Sequence, residues 1–316
     1  MLNLKQGLKE VAESLGLQSL GIARPQRPPH LDTYVRWIEK GNLGQMSYLE
    51  EHLPLKEHPA KLLPEVRSVI AVTLNYYQPL STHPSQPRIS RYALGRDYHR
   101  VMRSKLRALA AWLEERVPGS IHRPCVDSAP IMERDFAQLA GLGWFGNNTM
   151  LIDSRRGSWF FIGILLSSIE IEPDEPAVGG CGTCRACIES CPTGAIVFDD
   201  GRWQVEARRC ISYQTIEHVG DLEVDTAGWT FGCDICQEVC PFNQPRESQP
   251  LRAQVTTEPD FLTRRQWPDL VQLAQVEQAQ WDMATQGSPV RRAGWTGLKR
   301  NAAANLAREK QLGADS

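Results

Sequence analysis

Eight of the chain's nine cysteines lie between residues 181 and 240. Cys181, Cys184, Cys187 and Cys191 follow C-x2-C-x2-C-x3-C, with Pro192 next. Cys233, Cys236 and Cys240 repeat the end of that run, and Pro241 follows. Cys210, upstream, completes a second set of four. Two-residue gaps let a tight loop aim three thiolates at one iron–sulfur cubane, while the fourth cysteine is carried too far along the turn and ligates the other cluster. The spacing therefore predicts two 4Fe-4S clusters with crossed ligation. Cys181, Cys184, Cys187 and Cys240 would hold one; Cys191, Cys210, Cys233 and Cys236 would hold the other. A zinc ribbon also uses paired C-x2-C, but it does not need two runs that each end in Cys-Pro. Cys125 lies outside both runs and reads as a small buried hydrophobe in a strand.

Other signals are weaker. Gly141, Gly143 and Gly146 match G-x-G-x-x-G, yet a dinucleotide fingerprint follows a strand and opens a helix. Here the order is reversed, which excludes a Rossmann turn and leaves the glycines to cap a helix and to let backbone approach a flat ligand. No Walker A or HExxH motif is present. Arg96, Arg100, Arg103 and Arg107 recur at helical spacing and form one basic face. A second basic cluster comprises Arg291, Arg292, Lys299 and Arg300 around Trp295. Each is either a solvated face or a contact for RNA phosphates. Asp127, in CVDSAPIMERD between a strand and a helix, reads as an N-cap, with Glu133 and Asp135 solvated in the helix that follows.

The elements that must position these residues belong to an α+β chain. Apolar periodicity predicts helices over residues 2–15, 31–40, 96–117 and 131–140. β-branched and apolar runs predict strands at 19–23, 67–76 and 121–126, and one or two at 159–171. The Pro/Gly/acidic stretch 172–180 marks a boundary. The expected organisation is a mixed α/β domain over 1–172, a bacterial two-cluster ferredoxin-like domain over 173–246 and a helical tail over 247–316. In that tail residues 288–308 suggest one HEAT-type helix pair docked on the rest. At 316 residues, 41% hydrophobic and with a formal charge of −2, the chain is of ordinary globular composition and not a uniformly basic nucleic-acid binder. No apolar stretch is long enough to span a bilayer, and the N-terminus lacks the order of a signal peptide. A cytoplasmic monomer is expected, in which clustered cysteines are metal ligands rather than disulfides.

Taken together, CVDSAP (125–130), AGLGWFGNNTMLI (140–152), CGTCRACIESCPTGAI (181–196), RRCISYQT (208–215) and FGCDICQEVCPFN (231–243) closely resemble the epoxyqueuosine reductases, over nearly the whole chain. The resemblance implies a cobalamin-dependent enzyme with two 4Fe-4S clusters that reduces epoxyqueuosine to queuosine at the tRNA wobble position, the last step of queuosine synthesis. The first domain is then a cobalamin-binding core. By position the resemblance makes Asp127 the proton donor, and it sets Lys56, Ser90, Asp127, Asn148, Leu151, Ile162 and Ser212 near the corrinoid. Lys56 stands where a related sequence has arginine, and Asn147 where lysine is common. The partners implied are a tRNA with a queuosine-type anticodon, which makes both basic clusters docking surfaces, and a low-potential donor of flavodoxin or ferredoxin type. Two alternatives use the same clusters: a small-molecule cobalamin reductase such as a reductive dehalogenase, and a ferredoxin-type carrier. The twin-arginine signal common among exported dehalogenases is absent, and a domain of 1–172 exceeds what a carrier needs.

Overall fold

The computed structural model describes residues 4–80 and 86–314; the first two residues of the helix predicted over 2–15 lie outside them. Strands are numbered in chain order: β1 (Ser19–Ala23), β2 (Ser68–Asn75), β3 (Arg88–Ile89), β4 (His122–Cys125), β5 (Trp144–Phe145), β6 (Leu151–Ile152), β7 (Phe160–Ser167), β8 (Ile196–Asp199), β9 (Arg202–Val205) and β10 (Trp229–Phe231). The helices used below are α1 (Leu4–Ser14), α2 (Leu31–Glu39), α3 (Tyr98–Arg116), α4 (Glu133–Leu139), α5 (Ile211–Ile216), α6 (Leu270–Ala274), α7 (Gln278–Thr285) and α8 (Gly294–Ala314).

Period-two alternation builds the first half of the molecule. Along β2, Ile70, Val72 and Leu74 join one apolar cluster while Val69 and Ala71 join another. β7 divides in the same way, with Phe161 and Leu165 on one side and Phe160, Ile164 and Leu166 on the other. Side chains on a strand point alternately to its two faces, so both strands are central and both faces are covered. The sheet runs β1-β2-β7-β4, every pair antiparallel. Helices α1 and α3 pack on one face through Leu8, Ala12, Met102, Leu106 and Leu109. α4 packs on the other through Phe136 and Ala137. At Gly163 a Cβ would come within 2.7 Å of Met102 Sδ, so a glycine there lets α3 lie close to the sheet. β4 is an edge strand and tolerates Pro124, which cannot donate to a ladder.

Predicted and observed elements agree to within a few residues at their ends. The long helix begins at Tyr98 rather than Arg96 because Asp97 caps it, its carboxylate accepting from His99 N at 3.0 Å. Residues 159–171 make one strand, β7.

The cysteine segment is irregular, with the one-turn helix Ala186–Glu189 before the β8–β9 hairpin and the one-turn helix Ile235–Glu238 after α5 and β10. It is joined to the first half by β10, which pairs parallel with β3. The tail differs from the expected helix pair. Residues 289–293 form only a short 3-10 turn, ended by Gly294 at φ 69°, and a single helix, α8, follows. Leu298 and Ala302 of α8 pack with Leu270 and Leu273 of α6. Buried amides dock α8 on the cysteine segment. Asn301 Nδ2 donates to the carbonyls of Thr215 and Thr230, and Asn305 Nδ2 donates to Thr230 Oγ1. Each such bond contributes about 1 kcal/mol net, and leaving one partner unpaired costs about 1–3 kcal/mol. Among the described residues no helix is long and apolar enough to cross a membrane.

Candidate active site

β4 ends at Cys125, paired with Ile164 of β7. Asp127 follows two residues later, just beyond the end of the strand. Asp127 has φ 51°, a left-handed conformation that aspartate tolerates better than most residues. It does not cap the next helix: that position belongs to Met132, which supplies no side-chain acceptor. Instead Asp127 Oδ2 accepts from His99 Nε2 at 2.9 Å, while His99 Nδ1 lies 2.7 Å from Asp97 Oδ1. Tyr98 stacks on His99 at 4.1 Å and on Phe161 at 4.0 Å between ring centroids, fixing the imidazole over the end of the sheet.

Charges in this corner are coupled. Desolvation disfavours the His99 imidazolium, but hydrogen bonds to Asp127 and Asp97 outweigh it and raise its pKa to about 9. Burial likewise pushes the Asp127 carboxyl up, yet the His99 bond and charge bring it below the ordinary carboxylate range. At neutral pH the proton of this pair therefore sits on His99. Glu133 is not solvated as its sequence context suggests. It is half-buried, accepts from Asp127 N at 2.5 Å, and desolvation followed by the Asp127 charge raises its pKa to about 8. Asp135 is also not solvated: it is buried and accepts from His30 N at 2.9 Å, serving the first turn of α2 from a neighbouring helix. The helical repeat sets Arg134, not its flanking acids, toward solvent.

The cysteines fall into two groups. Cys181, Cys184, Cys187 and Cys240 line one small cavity with Asn147, Asn148 and Ile152. Cys233 faces Cys210 and Cys191, and Cys236 faces Cys233 and Cys210. Cys236 also faces Cys187, so the two groups adjoin. Backbone N–H groups point at sulfur: Asn147 N lies 3.4 Å from Cys181 Sγ and Ala195 N lies 3.3 Å from Cys191 Sγ. Such bonds stabilise thiolates and tune a cluster held by them. A set of four thiols around a cavity, ringed by amide donors, fits a 4Fe-4S cubane. Cys125 is buried in β4, with its thiol pushed up to about 11 by desolvation, and is a core residue.

Residues 144–152 bring the first half to the cysteines. β5 and β6 form a hairpin in which Asn147 Nδ2 donates to Cys184 O and Asn148 Nδ2 to Cys236 O. Gly141, φ 81°, follows the end of α4 as a cap. Gly143 and Gly146 make room for the chain itself rather than a flat ligand, since a Cβ on either would meet Ile152 atoms at 2.5 Å.

The remaining sequence-predicted residues divide between two places. Lys56 is near Asp127, its ammonium beside Glu133 and 5.5 Å from the Tyr34 ring centroid, and burial lowers its pKa. Ile162 is the single half-buried residue of an otherwise buried β7, and Leu151 is buried in the α4-side core. Ser90, Asn148 and Ser212 lie with the cysteines: Ser90 is buried with its hydroxyl donated to Asp234, and the Ser212 backbone supports the Cys210 sulfur. Of the basic residues, Arg100 and Arg291 line one cleft with Asp282 and Met283. Arg107 is exposed and Arg103 half-buried on the same helix. Arg96 pairs with Asp260 at 3.1 Å, Arg292 with Glu217 at 2.9 Å, and Lys299 lies over the Trp295 ring. Arg300 is committed to the carbonyls of Gln214, His218 and Gly220 and holds α8 in place. Sequence reasoning missed His99, Tyr98 and the role of Glu133; nothing local marks a histidine whose partner is 28 residues away.

Two segments of the chain match known family models. The family model described as Epoxyqueuosine reductase QueG, DUF1730, matches residues 56–128, and the 4Fe-4S double cluster binding domain matches residues 180–243. An epoxyqueuosine reductase of Vibrio cholerae is 39% identical over 94% of this chain and 81% of its own length. One of Synechocystis is 44% identical over 85% and 93%. A crystal structure of an epoxyqueuosine reductase with a tRNA-Tyr epoxyqueuosine-modified stem loop superposes with a TM-score of 0.82 at 26% identity, over 96% of this chain and 81% of that one. With 39–44% identity to curated epoxyqueuosine reductases over most of its length and a double 4Fe-4S segment in place, the chain belongs to the epoxyqueuosine reductase family.

Proposed function

We propose that this chain reduces epoxyqueuosine to queuosine in tRNA, with Asp127 and His99 delivering a proton to the oxygen as it leaves. Opening the epoxide to an alkene breaks both C–O bonds, forms a C=C bond, takes up two electrons and two protons, and releases water. The two 4Fe-4S clusters carry the electrons, held as the spacing predicts by Cys181, Cys184, Cys187 and Cys240 and by Cys191, Cys210, Cys233 and Cys236. A low-potential donor of flavodoxin or ferredoxin type refills them. The observation that carries the reading is the pair of adjoining four-cysteine groups in a chain that also presents an aspartate hydrogen-bonded to an imidazolium.

Cobalamin is the remaining cofactor in this reading; when bound it supplies the strongly reducing Co(I) chemistry. The residues present fit it. Half-buried Ile162 and buried Leu151, in the same apolar cluster, would offer an apolar floor, and Lys56, close to Asp127, a polar rim. Asn148, Ser90 and Ser212 would lie toward the cluster side. The task of this chain's own groups is positioning and proton supply, since a cofactor carries the hard chemistry. His99 stores the proton and Asp127, hydrogen-bonded to it, relays it toward the epoxide oxygen, where general acid catalysis is worth roughly two to four orders of magnitude. The anticodon loop docks over the cleft shared by Arg100 and Arg291, with Arg103 and Arg107 continuing the basic face; single-stranded bases and backbone phosphates are what such surfaces recognise.

Anaerobic turnover tests the reading. Protein reconstituted with iron, sulfide and cobalamin is given a strong reductant and either an epoxyqueuosine stem loop or a halogenated phenol. Loss of one oxygen from the modified base, read by mass spectrometry, is the expected result. Dehalogenation with an untouched stem loop would favour the small-molecule alternative.

A further inference from the structure

Glu133 is an acid at the active site that the proposed chemistry leaves unused. It is the first residue of α4, and its side chain reaches back over a six-residue loop to Asp127 N at 2.5 Å. No side chain at the N-cap position, Met132, competes for this duty. Asp127 meanwhile holds φ 51°, a region that L-residues rarely adopt and that persists where neighbours hold it. The loop is thus tied at both ends of one residue: backbone N–H to Glu133, carboxylate to His99 at 2.9 Å.

We propose that Glu133 is the positioning residue for Asp127: its side-chain carboxyl oxygen holds the Asp127 N–H, fixes the left-handed turn and so aims the Asp127 carboxylate at His99. The inference rests on the reading that Asp127 relays the proton. The groups facing Glu133 are Asp127 on the loop, Arg134 on its own helix, Lys56 from the short helix Leu53–Lys56, Tyr98 on α3 and Cys125 on β4. Desolvation keeps Glu133 largely protonated at neutral pH. It therefore offers an acceptor without a second negative charge beside Asp127. Glutamine has the same acceptor and the same neutrality. What the site requires of position 133 is an oxygen in one place, not an ionisable group.

The test compares Glu133→Ala with Glu133→Gln in cluster-loaded protein, by two readouts. The first is the His99 titration by 15N-histidine NMR in the oxidised state, which needs no turnover. Wild type is expected to titrate near pH 9, Glu133→Gln close to it, and Glu133→Ala shifted down toward 6.5 as Asp127 leaves the imidazole. The second is turnover of the stem loop. Glu133→Ala should lose roughly 10- to 100-fold in kcat, as misplacement of about 1 Å does, with KM little changed, and Glu133→Gln should recover most of it. Glu133→Met, which keeps bulk without the acceptor, replaces the alanine variant if that one fails to assemble. An alanine or methionine variant with wild-type titration and kcat overturns the proposal, and so does a glutamine variant as impaired as alanine. If wild type itself leaves the stem loop unchanged while the NMR shifts follow the expected order, the positioning role stands and the reaction assigned to the site falls.

Discussion

Asp127 gathers three features that no local pattern announces: a left-handed backbone, a histidine partner on α3 and a glutamate on its own N–H. Read along the chain, Asp-Ser-Ala-Pro is an N-cap, and an N-cap would accept asparagine in place of aspartate. A proton relay would not, since an amide has no proton to transfer at this site. Asp127→Asn should keep the fold and both clusters and lower single-turnover deoxygenation by roughly two to four orders of magnitude; a near-wild-type rate would return Asp127 to a structural role. The His99 proton gives the pH dependence its sign. Its pKa is raised in the folded protein from 6.5 to about 9, so the imidazolium is full below 6.5 and lost as pH rises through about 9. The single-turnover rate should fall over that upper window. The ion pair's share of stability should fall with it, which a series of melting temperatures from pH 7 to 10 would detect. The cysteines were legible where His99 was not, because ligation by one tight loop imposes spacing on the sequence itself.

Strands and helices of the first half were legible for a related reason: burial on alternate or every third to fourth residue leaves a period. The elements that escaped lack such a period. The glycines of 141–146 have the letters of a nucleotide turn, but Gly143 and Gly146 serve the close crossing of β5 and β6, a contact made by Ile152. Residues 288–308 have the composition of two helices, yet Gly294 at φ 69° leaves room for only one turn before α8. Glu133 and Asp135 were assigned to solvent because helix periodicity says which face is apolar and not what a neighbouring loop or helix will bring to the other. The cysteine segment permits a sharp test at this scale. Cys210 belongs to neither run, yet it opens α5 and faces Cys191 and Cys233. Cys210→Ala should therefore retain about four irons of eight, by the four irons per cluster. Full iron content with two reducible clusters would remove Cys210 from the ligands and break the crossed assignment.

At the scale of the whole molecule the helical tail matters because it brings arginines distant in sequence to the first half. Buried Asn301 and Asn305 seat α8 against β10 and α5. That seating brings Arg291 to Arg100, and Arg292 to Glu217 and the Tyr48 ring. One arginine from each basic cluster, far apart in sequence, thus lines the same cleft. Reversing charge at Arg100 and Arg291 together should weaken stem-loop binding and flatten its salt dependence by about one unit of log–log slope for each phosphate that is no longer neutralised; an unchanged slope would make both arginines part of a merely solvated face. Two clusters hold two electrons above their oxidised state, which is the demand of one epoxide reduced to one alkene. The most direct measurement is a reductant-free single turnover: cobalamin-loaded protein is reduced, stripped of reductant and mixed anaerobically with excess epoxyqueuosine stem loop. The account predicts at least one queuosine per chain with both clusters reoxidised, and fully reduced clusters that stay reduced while no queuosine forms would contradict it.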